Sequence, residues 1–256
     1  MSKSFKKFSC VVSSIFIFLI HVPFVFATAI PHPEIKEPKV SVINPGTDFP
    51  KSETYPATEI NIYDSLQLNS LDLSKQAYQD ALEGYSKLRK LGKLTNDSVI
   101  SIIDFALPSN KKRLFVIDIK NCKVLFNTYV AHGRNSGGGY ATRFSNSLSS
   151  NKSSLGFYIT GNTYIGDNGY SLRLEGEEKG FNNNAFRRAI VMHAAGYVNE
   201  DYINANGFSG RSFGCPAIPE ENFRPIIDEI KNGSCLFLYS PNRYYLSHSR
   251  FLKHAS

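Results

Sequence analysis

The sequence predicts a mainly β domain with a few helices, an α+β fold preceded by a helical segment. Two observations carry this reading. After Ser109, short apolar runs alternate with glycine and asparagine clusters, the pattern of strands joined by turns. Before it, apolar residues recur every three to four positions, the period of an amphipathic helix. No internal repeat is present.

The elements follow in order. Lys3, Lys6 and Lys7 precede an uncharged apolar run from Phe8 to Ala27, and Ala27-Thr28-Ala29 offers a small-residue cleavage site. Residues 1–29 therefore read as a secretory signal. The alternative is an uncleaved anchor, since the run approaches the roughly 20 residues of a membrane span; His21 and Pro23 within it favour the signal. Residues 30–60 hold Pro31, Pro33, Pro38, Pro45, Pro50 and Pro56 without periodicity and read as an extended linker. Residues 61–108 form the helical segment. Ser74 is placed to cap a helix whose stripe is Ala77, Tyr78, Ala81, Leu82, Tyr85, Leu88 and Leu91, and Gly92 stops it. Asn96-Asp97 is expected to cap a second helix through Val99, Ile102, Ile103 and Phe105.

Residues 109–245 are the β-rich domain. Arg113 to Ile119 and Lys123 to Val130 flank Lys120-Asn121-Cys122 as a hairpin. Further strands are expected at Gly156 to Thr160, Ser171 to Leu174, Ala189 to His193 and Cys235 to Tyr239. One later helix starts at Pro219-Glu220-Glu221, carries Phe223, Ile226, Ile227 and Ile230 as its stripe, and closes at Gly233. Residues 246–256 read as a C-terminal tail.

The formal net charge is +7, which falls to +4 when the three signal lysines are removed. A modestly basic exported chain is suited to anionic envelope polymers, or is merely soluble. No zinc spacing, aromatic RNA-binding block or dense basic stripe is present, so nothing points to nucleic acid. A chain without its signal keeps Cys122, Cys215 and Cys235, an odd number, so one thiol stays free or pairs between molecules. Cys122 and Cys235 adjoin strand-like runs and read as a pair or as core thiols. Cys215 alone sits in a glycine-bracketed turn.

That turn, Gly210-Arg211-Ser212-Phe213-Gly214-Cys215-Pro216, follows His193 in VMHAAGY. A thiol becomes a nucleophile when its pKa is lowered or its proton is removed, and a histidine does both. Cys215 and His193 are thus the candidate nucleophile and base of an acyl transfer, with Ser212 either bonding within the turn or steadying the histidine. Pro216 has no N–H, so oxyanion donors must come from the amides of Cys215, Gly214 and Phe213. Arg211 and Arg173 are candidates for a substrate carboxylate. His132, in a glycine-rich loop, is a candidate second histidine, and Tyr158 and Tyr170 candidate cleft aromatics. No metal site and no cofactor is implied.

The order of a histidine followed by Ser-x-Gly-Cys resembles the L,D-transpeptidase catalytic domain, the YkuD-like family. The closer likeness is to a divergent murein L,D-transpeptidase branch whose motif ends in GCPA, here Gly214 to Ala217. The likeness runs from about Phe105 to Ser240 through HGRNSG (His132 to Gly137), FSN (Phe144 to Asn146), SSLGFY (Ser153 to Tyr158) and GYSLRLEG (Gly169 to Gly176). It implies an L,D-transpeptidase-like β-sandwich or barrel. It also implies a donor peptidoglycan stem tetrapeptide, attacked by Cys215 with loss of D-alanine, in the periplasm or cell envelope. L,D-carboxypeptidase action at the same site and a non-catalytic peptidoglycan-binding domain are the alternatives. The chain departs from better-known members by carrying Pro216 and Ala217 directly after the nucleophile.

Overall fold

The computed structural model describes residues 62–253. The expected signal and the expected linker lie outside them. Among the described residues, no helix is long and apolar enough to cross a membrane.

Helix α1, Lys75–Lys90, forms where its stripe predicts. Ser74 caps it, its side-chain oxygen accepting from Ala77 N–H at 3.1 Å. Lys87, Arg89 and Lys90 in the last turn suit the negative end of the helix dipole. Gly92, at φ 67°, ends it in the left-handed conformation. Its buried face lies on the sheet so closely that a Cβ at Gly84 would enter the Phe157 ring.

The second expected helix does not form. Val99–Asp104 is strand β1 instead. Every residue of it is buried, because it lies inside the sheet with a partner on each side. A strand covered on both faces shows no alternation, so its apolar run imitates a helical stripe. The β-branched Val-Ile-Ser-Ile-Ile composition was the signal for a strand.

The expected hairpin appears as β2, Leu114–Asp118, and β3, Lys123–Thr128. Cys122 occupies its turn at φ 50° and is exposed, whereas Cys235 is buried; both thiols are free. The pairing alternative and the core reading of Cys122 therefore fall. Strand β4, Gly156–Gly166, outruns its expected length and turns back into β5, Gly169–Gly176. β6 is Val191–Ala194, β7 the two residues Ala217–Ile218, and β8 Cys235–Tyr239. All eight strands form one sheet in the order β3-β2-β1-β8-β4-β5-β6-β7. The β1–β8 and β6–β7 pairs are parallel and the rest antiparallel.

Three short helices complete the domain. α2, Glu200–Asn206, was not expected, although Asn199 as cap and Gly207 at φ 78° are ordinary boundary signals. α3, Phe223–Ile230, buries Ile226, Ile227 and Ile230, but begins after Asn222 rather than at Pro219. α4, Arg243–His248, occupies the start of the expected tail. Beyond it Phe251 and Leu252 are buried in the core, with Phe251 edge-on to Phe157 at 5.5 Å. Those two apolar side chains make the C-terminus part of the fold.

Glu178 joins β4 to the C-terminus. It accepts from Phe157 N–H at 2.8 Å, from Tyr245 O–H at 2.9 Å and from the Ser249 hydroxyl. Burial pushes its carboxyl above the ordinary value while these donors pull it back. Gly156, at φ 117°, leaves the space this carboxylate fills. We expect Glu178→Ala to lower unfolding free energy by about 3 kcal/mol or more, since three buried donors lose their acceptor. Glu178→Gln, which keeps an acceptor oxygen, should cost about half that or less in the same urea titration.

Candidate active site

The nucleophile turn hangs between two supports. On one side β7 pairs with β6, His193 opposite Ala217 and Ala194 opposite Ile218. On the other, residues 131–134 run beside it: Ala131 N–H donates to Ala217 O at 2.8 Å, Ser212 N–H to His132 O at 3.0 Å, and Arg134 N–H to Ser212 O at 2.7 Å. Glycines permit the close approaches. A Cβ at Gly214, whose φ is 126°, would lie 2.8 Å from Lys152 O.

Ser212 resolves to its turn role. Its hydroxyl donates to Cys215 O at 2.6 Å and accepts from Gly214 N–H at 3.0 Å. The Gly214 amide is therefore committed and is not a free oxyanion donor, contrary to expectation. The amides of Phe213 and Cys215 have no hydrogen-bond acceptor among the described residues. Phe213 itself is exposed, with the Arg134 guanidinium 4.5 Å from its ring centroid.

Cys215 is half-buried. Its thiol donates to Ala189 O at 3.7 Å, not to the histidine. Burial pushes the thiol up, while a hydrogen bond from Val191 N–H and the Arg188 charge pull it down. Ala189 reaches it from a left-handed backbone at φ 51°, an unfavourable conformation for a residue with a Cβ.

His193 lies third in β6, between Ser171 of β5 and Ala217 of β7. Cys215 precedes Ala217 by two residues, so the β6–β7 pairing brings the turn that carries it beside the His193 strand. The ring is buried, and Nδ1 lies 2.8 Å from Ala194 O. That carbonyl can only accept, so Nδ1 carries the proton and Nε2 offers a lone pair. Burial also holds the imidazole below its ordinary value. The third group orienting the histidine is thus a backbone carbonyl.

Three expected site residues are elsewhere. His132 is fully buried, with Nδ1 2.8 Å from Arg113 Nη2 and Nε2 3.4 Å from Gly137 O. Burial and the Arg113 charge take its pKa down to about 4, so it stays neutral and structural. Tyr158 is fully buried and donates to Ser154 O at 3.0 Å. Tyr170 faces α3, donating to Asp228 Oδ1 at 2.6 Å beneath the Arg224 guanidinium. Arg211 is exposed and donates to Gly137 O at 3.1 Å. Arg173, like Arg211, has no acidic partner among the described residues. It pairs across the sheet with Val191, and its guanidinium lies 4.3 Å from the Tyr164 ring centroid and 5.9 Å from that of Phe186.

The sequence reading missed Arg188, Ala189, Val191 and Tyr197. Tyr197 sits beside the turn, its phenol pushed up to about 12 by burial and by Cys215. No spacing rule identifies these residues, because they reach the thiol through main-chain atoms or from a loop. The irregular stretch before β6 was the available signal: a run of asparagines followed by two arginines directly ahead of the histidine strand.

Comparison with known proteins gives a family. A family model described as the L,D-transpeptidase catalytic domain matches residues 69–239. No curated protein matches. Among solved structures the chain is similar to an L,D-transpeptidase from Mycobacterium smegmatis, at 12% identity and TM-score 0.36, covering 56% of this chain and 59% of that one. It is also similar to the helical cell shape determining protein Pgp2 from Campylobacter jejuni, at 13% identity and TM-score 0.39, covering 63% and 57%. A third is an L,D-transpeptidase from Stackebrandtia nassauensis, at 15% and 0.33, covering 66% and 69%. The chain spans less than two thirds of the length of the first two.

A buried, neutral His132 makes a definite expectation. His132→Ala strips an acceptor from Arg113 and should cost about 1–3 kcal/mol in urea denaturation. The pH dependence of Cys215 alkylation should not change, whereas a second active-site histidine would shift it.

Proposed function

Because the chain belongs to the L,D-transpeptidase catalytic domain family, we propose that it is an exported cysteine acyltransferase acting on peptidoglycan stem tetrapeptides. The observation that carries this reading is the half-buried Cys215 on a clamped turn leading into β7, the strand paired to His193, whose Nδ1 is held by Ala194 O so that Nε2 offers a lone pair.

The thiol is held up by burial rather than stored as thiolate, so the proton must be removed as the reaction proceeds. Cys215 turns from Ala189 O toward His193, whose Nε2 takes the proton while Sγ bonds to the carbonyl carbon of the diamino acid's L-centre. The carbonyl oxygen gathers charge against the Phe213 and Cys215 amides. Collapse breaks the C–N bond, His193 returns the proton to the departing D-alanine amine, and a thioester remains. An amine of a second stem then attacks, loses its proton to His193, and the Cys215 sulfur leaves. Water as acceptor makes the same site an L,D-carboxypeptidase. Arg173 and Arg211, both without an acidic partner among the described residues, are the two candidates to meet a substrate carboxylate.

Intact-protein mass spectrometry with a disaccharide-tetrapeptide is the direct test. Loss of D-alanine with a Cys215-dependent adduct, or a cross-linked dimer, is expected, and Cys215→Ala should abolish both. Folded protein that neither forms an adduct nor turns over would favour the non-catalytic binding domain. His193→Ala should slow acylation by about 10²–10⁴-fold, the usual worth of a positioned base.

The pH profile has a fixed sign. His193 must be neutral to accept the proton, and burial holds it below its ordinary 6.5. Acylation should therefore be level through neutral pH and fall only as acid protonates the ring below pH 6.5. An acid limb centred above that value would contradict the assignment.

A further inference from the structure

Arg188 stands just before the segment that surrounds the nucleophile. Its Nη1 donates to Ser145 O at 2.9 Å and to the Ser154 hydroxyl; its Nη2 donates to Lys152 O at 2.6 Å and to Ser150 Oγ at 3.2 Å. These acceptors are neutral, and no carboxylate among the described residues pairs with it. A half-buried cation thus has both terminal nitrogens hydrogen-bonded yet lacks a counter-charge. It also abuts the turn, since a Cβ at Gly214 would lie 3.1 Å from Nη2. The next residue supplies the carbonyl that receives the thiol proton.

We propose that Arg188 is a positioning residue for Cys215, clamping the 145–154 loop against the nucleophile turn and supplying the positive charge that the thiolate requires. The serine loop fixes where the charge sits. While the thiol is protonated it donates to Ala189 O, an acceptor that repels a thiolate. Once His193 takes the proton, sulfur keeps the Val191 N–H and gains the uncompensated guanidinium. The other titratable neighbours add no negative charge near neutral pH: Tyr158 and Tyr197 have raised values, and His193 is neutral or, after the transfer, positive. Burial lowers Arg188's own pKa, and Tyr158 and Cys215 raise it in return, the reciprocal of the arginine's pull on the thiol.

The inference rests on Cys215 being the nucleophile, but its test needs no peptide substrate. Iodoacetamide alkylation of Cys215 in the full chain is followed against pH by peptide mass spectrometry, which separates it from exposed Cys122. Arg188→Gln keeps donors for Lys152 O without charge; Arg188→Lys keeps the charge without the fork. Each is measured at a temperature where circular dichroism shows it folded. Because the thiolate is the reacting form, Arg188→Gln should slow alkylation about tenfold at neutral pH by raising the midpoint about one unit, with Arg188→Lys near wild type. An unmoved midpoint in Arg188→Gln, or an equal rise in both variants, overturns the proposal. A normal midpoint shift without tetrapeptide turnover would sink the transpeptidase reading alone.

Discussion

A guanidinium sealed from water at Arg113 must find acceptors for its N–H groups inside the protein, and it finds them in the segments around the site. Nε and Nη2 donate to Val130 O at 3.1 and 2.9 Å, Nη1 donates to Leu107 O at 2.9 Å, and Nη2 also meets His132 Nδ1 at 2.8 Å. Phe105 covers it, with its ring centroid 5.0 Å from the guanidinium carbon. Burial brings the pKa down to about 9, and Asp104 at the end of β1 helps keep the charge. Asp104 is itself held by Ser74 N–H at 3.2 Å and Ala106 N–H at 2.9 Å. One line of contacts therefore runs from the cap of α1 through β1 and Arg113 to His132, whose carbonyl holds Ser212. Removing one partner from a buried ionic group costs several kcal/mol, so this line is stiff.

That stiffness suits a site without a stored ion pair. Both Cys215 and His193 are pushed by burial toward their neutral forms, the thiol upward and the imidazole downward. Burial of both groups disfavours a resting thiolate–imidazolium pair, and the Arg188 charge offsets only part of that burial for the thiol. In the mechanism proposed above, proton transfer coincides with attack, and the geometry of base, sulfur and oxyanion donors then sets the rate. The carbonyl that fixes the imidazole tautomer and the pairing that aims the turn are both main-chain groups, which tolerate many side-chain identities.

The parts of this arrangement written in local sequence were legible. Ser74 and its stripe, the hairpin around Asn121, strand β8, and the glycine-bracketed turn that carries Cys215 all follow from short-range rules. The parts set by three-dimensional context were not. Val99–Asp104 imitates a helix because both its faces are buried. His132 looks like a loop histidine until Arg113, nineteen residues away in sequence, is seen against it. Tyr158 and Tyr170 are aromatic strand residues whose facing depends on the β4–β5 register, which shifts between Thr160 and Thr163. Phe251 and Leu252 lie in a stretch too short for periodicity to speak.

Pro216 shows how a departure from the wider family pattern fits the chemistry. A proline after the nucleophile removes one N–H that other acyl-transfer turns present to the oxyanion. It also biases the preceding residue toward extended backbone, and Cys215 lies just ahead of β7, outside its ladder. The Ser212 hydroxyl pins the Cys215 carbonyl on one side and the Gly214 amide on the other. Between these pins the Cys215 amide and, just ahead, the Phe213 amide stay without protein acceptors. Main-chain donors left open beside a half-buried thiol cost stability unless something accepts from them. The turn thus commits Gly214 to its own rigidity, forgoes a donor at position 216, and leaves two amides where the proposed mechanism puts the substrate oxygen.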